Sequence, residues 1–213
     1  MPRLARSLKS AGVTHTVTLS SYGAEKADKT GPVVGLHNME TKLARISGLN
    51  ALHLRAAYFM ENTLAQAGVI QSFGMMAGPV RADLLVPMIA TKDIGAAAAE
   101  ALVRLDFKGQ QTRELLGQRD ISYNEAARII GVAIGKPTLA YVQLPDEQVI
   151  QAMTGMGMSK SLAMLLCEMA GSMNNGYMKA LEPRSEKNTT PTSFEAFVEE
   201  VFLPAYRGRA AGA

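Results

Sequence analysis

Cysteine is nearly missing from these 213 residues. Cys167 stands alone, so no internal disulfide can form, and a reducing compartment, the cytoplasm, is expected. An excess of one charge is missing as well. The 22 basic and 19 acidic residues leave +3, and the basic side chains are scattered among acidic ones, which excludes a nucleic-acid-binding surface. No apolar run is long enough to span a bilayer, so no membrane partner is expected. The stretch MPRLARSLKSAG has basic residues but neither an apolar core nor a cleavage site, so it does not read as a secretory signal. The histidines are His15, His37 and His53. No two have metal-ligand spacing and none combines with Cys167, so no metal site is expected. A nucleophile elbow G-x-S-x-G is absent, which argues against a serine hydrolase. So is the phosphate-cradling G-x-G-x-x-G. Gly155-Met-Gly157 begins that pattern, but Lys160 holds the third position and no strand precedes it. There is no P-loop, no internal repeat and no low-complexity segment.

What remains is 47% hydrophobic and 19% charged, enough for a real core in one compact unit. Organisation centres on residues 31–62, GPVVGLHNMETKLARISGLNALHLRAAYFMEN. Leu36, Met39, Leu43 and Ile46 recur at helical spacing and predict a helix over 33–47, with Gly48 just past its end. Residues 51–55 read as a strand. Before them, VTHTVTLS (13–20) is rich in β-branched residues and alternates, a strand ending in Ser20-Ser21. Strand, helix, strand is one right-handed unit of a parallel sheet, and ligands of such sheets bind beyond the carboxyl ends of the strands.

Elsewhere the pattern predicts a helix over 2–10, with Leu4 and Leu8 on one face, and a short helix from Asn62 to Ala67. Strands are expected at 70–73, 80–85, 86–90, 112–116 and 138–144. Helices are expected at 92–104 after a Thr91 cap, 123–134 after a Ser122 cap, and 146–153 after Pro145. A further helix follows a Ser159 cap, and the last one follows a Thr192–Glu195 capping box. Seven of the 13 methionines fall between Met153 and Met178. Methionine fills irregular pockets, and a plain helical core stripe reads equally well.

SSYGAE, GLHNMETKL and SGLNALHLRAAYFMEN together resemble the NmrA-like family of atypical short-chain dehydrogenase/reductases. The likeness continues through LVPMIATKDIGAAAAEAL (85–102), TRELLGQRDISYNEAARIIGVAIGKP (112–137) and TPTSFEAFVEEVF (190–202), in the family's order. It implies an α/β fold: a partial Rossmann-like parallel sheet with helices on its faces, plus a smaller α/β substrate-side region. The division implied is residues 1–110, the C-terminal part of an NAD(P)-binding domain, and residues 111–213, mostly helical and substrate-side. The first strand and its glycine-rich loop would precede residue 1. NAD(P) is thus the implied cofactor, with weak or absent binding expected in this chain alone. The partner is a small-molecule substrate. The implied activity is reduction of a quinone or small carbonyl, or else non-catalytic NAD(P) sensing, or no activity in a fragment.

The same resemblance points to residues. Ser20 and Ser21 end the strand where a hydroxyl can meet a ribose or a substrate carbonyl, or simply make a turn. Arg55, Ala56, Ala57, Tyr58 and Phe59 fall where the family passes its backbone beside the nicotinamide, though Ala56-Ala57 replaces the family's usual proline. Typical short-chain dehydrogenases carry Tyr-x-x-x-Lys on the helix that follows the Ser20-Ser21 strand, a pair that NmrA-like proteins commonly lack. Here His37 and Thr41 have that spacing, so His37 is the candidate catalytic residue, with packing or hydrogen bonding as its other reading. His15 and His53, inside strands, read as structural. Without a preceding half, the 13–20 strand would expose an open sheet edge, which implies self-association or pairing with the missing half.

Overall fold

The computed structural model describes residues 7–210. Most of the helix expected over 2–10 lies outside the described residues; 7–10 are helical. In chain order the elements are β1 (His15–Ser21), α1 (Val34–Leu43), β2 (Asn50–Ala56), β3 (Tyr58–Phe59), α2 (Gln66–Phe73), β4 (Met76–Gly78) and β5 (Val86–Ile89). Then come α3 (Thr91–Arg104), β6 (Gln110–Leu115), β7 (Asp120–Ile121), α4 (Tyr123–Ala133), β8 (Tyr141–Gln143), α5 (Asp146–Gly155) and α6 (Lys160–Asn174). The last helix joins Phe194–Phe197, a π-turn Val198–Phe202 and Leu203–Ala210.

The fold is α/β and Rossmann-like. β1, β2 and β6 form a parallel sheet in the order β1-β2-β6, in which Ser20 stands opposite Arg55, Ser21 opposite Ala56, and Ala56 opposite Leu115. Alternation divides its two faces. Val17, Leu52 and Leu54 join the main core with Ile94, Ala97 and Ala101 of α3, whose alanines let the helix lie close to the strands. Thr18, Ser20, His53 and Arg55 occupy the other face, towards α1. There Met39 and Leu43 of α1 build a small core with Leu49. Phe194, Phe197 and Phe202 are fully buried and tie the last helix to the main core, each contributing about 1.5–3 kcal/mol relative to exposure.

Four details differ from the sequence pattern. Residues 70–73, expected as a strand, complete α2: Ala67 and Ile70 bury one face, and left-handed Gly74 caps it. A four-residue apolar run fits either element, and here helical packing decides. Residues 80–85 form a turn rather than a strand, with Arg81 paired to Asp83; the strand falls earlier, at β4, alongside β8. Ser193, not Thr192, caps the last helix, because Thr192 donates its N–H and hydroxyl to the buried Asp93 carboxylate. Thr91 is the first residue of α3 and gives its N–H and hydroxyl to Glu61, so a carboxylate from outside the helix does the capping. The Ser122 and Ser159 caps are formed as expected. Among the described residues, no helix is long and apolar enough to cross a membrane.

Candidate functional site

The parallel register brings the carboxyl ends of β1, β2 and β6 to one line. Tyr22 N–H donates to the Ala56 carbonyl, and Ala57 N–H to the Leu115 carbonyl. Ser20, Ser21, Arg55, Ala56 and Ala57 therefore meet at one edge of the sheet. Tyr58 and Phe59 leave that sheet as β3 and pair with Met88 and Ile89 of β5.

Most of these side chains are engaged internally. The buried Ser20 hydroxyl donates to Glu40 Oε1 at 2.6 Å. Arg55 grips the same carboxylate with two bonds, Nε to Oε1 at 3.1 Å and Nη2 to Oε2 at 2.7 Å, and its Nη1 lies 3.7 Å from Glu25. Burial works to raise the Glu40 pKa, but the bonds from Arg55 and Ser20 outweigh it and hold the carboxyl below its usual range. The same bonds raise the Arg55 pKa against the effect of burial. Ser21 donates to the Tyr22 carbonyl. The Tyr58 hydroxyl accepts from Tyr123 at 2.9 Å, and burial raises its pKa. His37 Nδ1 lies 2.9 Å from the Ala24 carbonyl, which ties α1 to the loop after β1. His53 faces Thr18, Oγ1 to Nδ1 2.7 Å, inside the sheet, and burial lowers its pKa. His15 packs edge-on against Phe107.

Beyond the strand ends lies a cleft of about 340 Å³. Leu84, Val86, Leu116, Met173 and Met178 supply its apolar walls, and Tyr22, Asp120, Lys179, Glu182 and Arg184 its polar ones. Two of the clustered methionines thus line the cleft, while Met156 and Met164 are exposed. Arg184 is committed: its guanidinium donates to the Leu116 and Gly117 carbonyls and pairs with Asp120. The neighbouring stretch is held by Glu114, whose carboxylate accepts from the N–H groups of Leu181 and Glu182. Gly117 is obligatory in this wall, since it has φ +71° and an added Cβ would stand 1.7 Å from the Met88 carbonyl oxygen.

Tyr22 is only 3% exposed, and its hydroxyl has no hydrogen-bond partner. Burial, then the Tyr58 hydroxyl and the Asp120 carboxylate, push its pKa up, so it stays protonated. In the sequence Tyr22 is simply the first residue of the polar stretch between β1 and α1. The readable signal was a hydroxyl-bearing aromatic directly after a strand, at the ligand-binding end of the sheet. Asp120 and Arg184 gave no such signal, because nothing local shows that residues so far apart meet at the end of β6. A second hollow, of about 370 Å³, is lined by Leu52, Phe107, Gln111 and exposed charged side chains near the amino ends of β2 and β6, away from the strand ends that bind ligands.

These 213 residues contain no glycine-rich phosphate loop. Gly155 and Gly157 stand where α5 stops rather than where a helix starts. Among the described residues, no group of His, Cys, Asp or Glu could hold a metal ion.

No protein-family model matches the chain. It is 32% identical over 162 residues to an NAD(P)H azoreductase of Xenophilus azovorans, covering 75% of this chain and 54% of the relative. It is 30% identical over 138 residues to the (4-alkanoyl-5-oxo-2,5-dihydrofuran-3-yl)methyl phosphate reductase of Streptomyces griseus subsp. griseus, covering 63% of this chain and 47% of the relative. The chain thus spans about half the length of the curated relatives it matches. Among solved structures, the NADPH complex of an Escherichia coli NADPH-dependent quinone oxidoreductase superposes with a TM-score of 0.78 at 22% identity, over 93% of this chain and 69% of that one. The negative transcriptional regulator NmrA, in complex with NAD, superposes with a TM-score of 0.61 at 15% identity, over 97% and 70%. The class defined is a Rossmann-like NAD(P)-binding fold. The Rossmann-like fold that the motifs implied is thus shared with the quinone oxidoreductase and with NmrA.

Proposed function

We propose that the chain is the strand-end and substrate-side portion of an NAD(P)H-dependent reductase of a quinone or small carbonyl compound. The observation that carries this reading is the cleft itself: walled in part by Leu84, Val86, Leu116, Met173 and Met178, and set beyond the carboxyl ends of parallel strands. When bound, the nicotinamide supplies the hydride. In this chain, residues up to about 110 border the cofactor, and residues 111–213 build the substrate side together with Tyr22, Leu84 and Val86. The main chain from Arg55 to Phe59, with Ser21, Ala56 and Ala57, lies beside the nicotinamide. Ser20, Arg55 and Glu40 fix the strand ends from beneath. Leu84, Val86, Met173 and Met178 exclude water and hold an apolar substrate body. Because His37 is tied to the Ala24 carbonyl and does not line the cleft, it positions the loop after β1.

NAD(P) binding by these residues alone is expected to be weaker than micromolar, because a pyrophosphate cradle supplies much of a dinucleotide's affinity. Quinone-dependent oxidation of NADPH, followed by absorbance over a panel of quinones at millimolar cofactor, tests the reading. Saturable turnover supports it. Absence of turnover at every cofactor concentration would turn the reading towards a non-catalytic NAD(P) sensor. That second reading is favoured by one observation: α1 bears no Tyr-x-x-x-Lys. A further proposal concerns assembly. β1 is an edge strand with Leu19 half exposed, and such an edge pairs readily with another strand. Self-association through β1 is expected in light scattering coupled to size exclusion; a sharp monomer peak removes it.

A further inference from the structure

We propose that the Tyr22 hydroxyl is the hydrogen-bond donor that fixes the ligand in the cleft, and that this ligand is a flat apolar molecule presenting a carbonyl oxygen. The quinone class rests on the reductase reading above; the donor role rests on geometry. Tyrosines nearby satisfy one another or the backbone: Tyr123 donates to Tyr58, and Tyr141 donates to the Val80 carbonyl at 2.9 Å. Tyr22, directly beyond β1 and lining the cleft, satisfies nothing. A hydroxyl withdrawn from water without a partner is costly, and native proteins rarely keep one without a reason. A carbonyl oxygen in the cleft supplies the missing acceptor.

The rest of the cleft narrows the ligand. Leu84, Val86, Met173 and Met178 offer dispersion contacts to a flat apolar body, and methionine adapts to its outline. Of the charged side chains that line the cleft, Arg184 is held by Asp120 and two backbone carbonyls, while Lys179 and Glu182 are exposed to solvent. A protonated phenol donates to a neutral carbonyl oxygen and gains more as negative charge builds on that oxygen during reduction.

The test compares two probes of similar shape, menadione and 2-methylnaphthalene, by ligand-observed NMR titration of the whole chain without cofactor. The wild type should prefer menadione. Tyr22→Phe should weaken menadione about tenfold, the scale of one neutral hydrogen bond, and leave 2-methylnaphthalene unchanged. The same variant should melt no lower than wild type, since only an unpaired hydroxyl is removed. Leu84→Trp, which fills the cleft, should weaken both probes. Equal menadione affinity in wild type and Tyr22→Phe overturns the inference. So does a wild type that binds neither probe, or a Leu84→Trp variant that binds both as before. The reductase reading fails separately. Menadione bound through Tyr22 with no NADPH turnover keeps this inference and removes that reading. Turnover with an unaltered Tyr22→Phe affinity does the reverse.

Discussion

The polar face of the central sheet and the cleft beyond its strand ends are built from the same strand, yet they treat polar groups in opposite ways. On the sheet face, Ser20 and Arg55 converge on one Glu40 carboxylate, which takes three hydrogen bonds from them inside the protein. Two residues further on, Tyr22 is as deeply buried as Ser20, but its hydroxyl has no partner. Saturated polar groups hold a shape; an unsaturated one waits for something from outside. The difference separates scaffold from binding surface more sharply than burial does, because both groups are buried.

Breaking the saturated side should cost most. Glu40→Ala leaves Arg55 buried without its partner and should destabilise the fold by about 3 kcal/mol, read by urea unfolding. If the loss is close to zero, the cluster is not the scaffold described above.

Acid should reach the same face in two steps. His53 has a depressed folded pKa, so its contribution is complete above its unfolded value of 6.5 and declines as pH falls below it. Glu40 also has a depressed folded pKa, so its share holds above the unfolded value of 4.5 and is lost as pH falls through the folded one. Urea midpoints measured from pH 8 down to pH 3 should therefore fall twice, and His53→Asn should remove the upper step.

Ser20→Ala removes a single bond to a charged acceptor and should cost about 1.5 kcal/mol, measured the same way. The smallest effect is expected at the boundary between the two regions. His37→Ala frees the Ala24 carbonyl and should lower stability by about 1 kcal/mol while quinone-dependent turnover, assayed in parallel, stays close to wild type. A sharp fall in turnover without loss of stability would instead place His37 in the chemistry.

Local signals made the sheet legible. Val17, Leu52 and Leu54 alternate with polar residues in β1 and β2, and the helix between them repeats Leu36, Met39 and Leu43. Those periods depend only on neighbours in the chain, and the motifs around them carried the fold resemblance. The strand ends were legible too, so Ser20, Ser21, Arg55, Ala56 and Ala57 could be placed at one edge, from which Tyr58 and Phe59 depart as β3. Their partners could not. That Glu40 takes up Ser20 and Arg55 depends on how α1 lies across the sheet. That Thr192 serves Asp93 rather than its own helix depends on a contact spanning a hundred residues. Tyr22 shows the same limit: its residue type and position were visible, but an unpaired hydroxyl can be recognised only once every neighbour has been assigned.

The ties made by Glu114 and Arg184 have a consequence for how the chain opens. The stretch between α6 and the last helix has no strand or helix of its own, and by composition it would pass for a loop free to swing. Yet Glu114 holds its backbone N–H groups from within β6, and Arg184 reaches back from it to the carbonyls just past the end of that strand. Leu116 N–H adds a bond to the Asn188 carbonyl. Each tie runs to the sheet's third strand or its immediate continuation, so the stretch cannot peel away without loosening that strand. It belongs to the same cooperative unfolding unit as the sheet, and it bounds the cleft as a fixed wall rather than a flap.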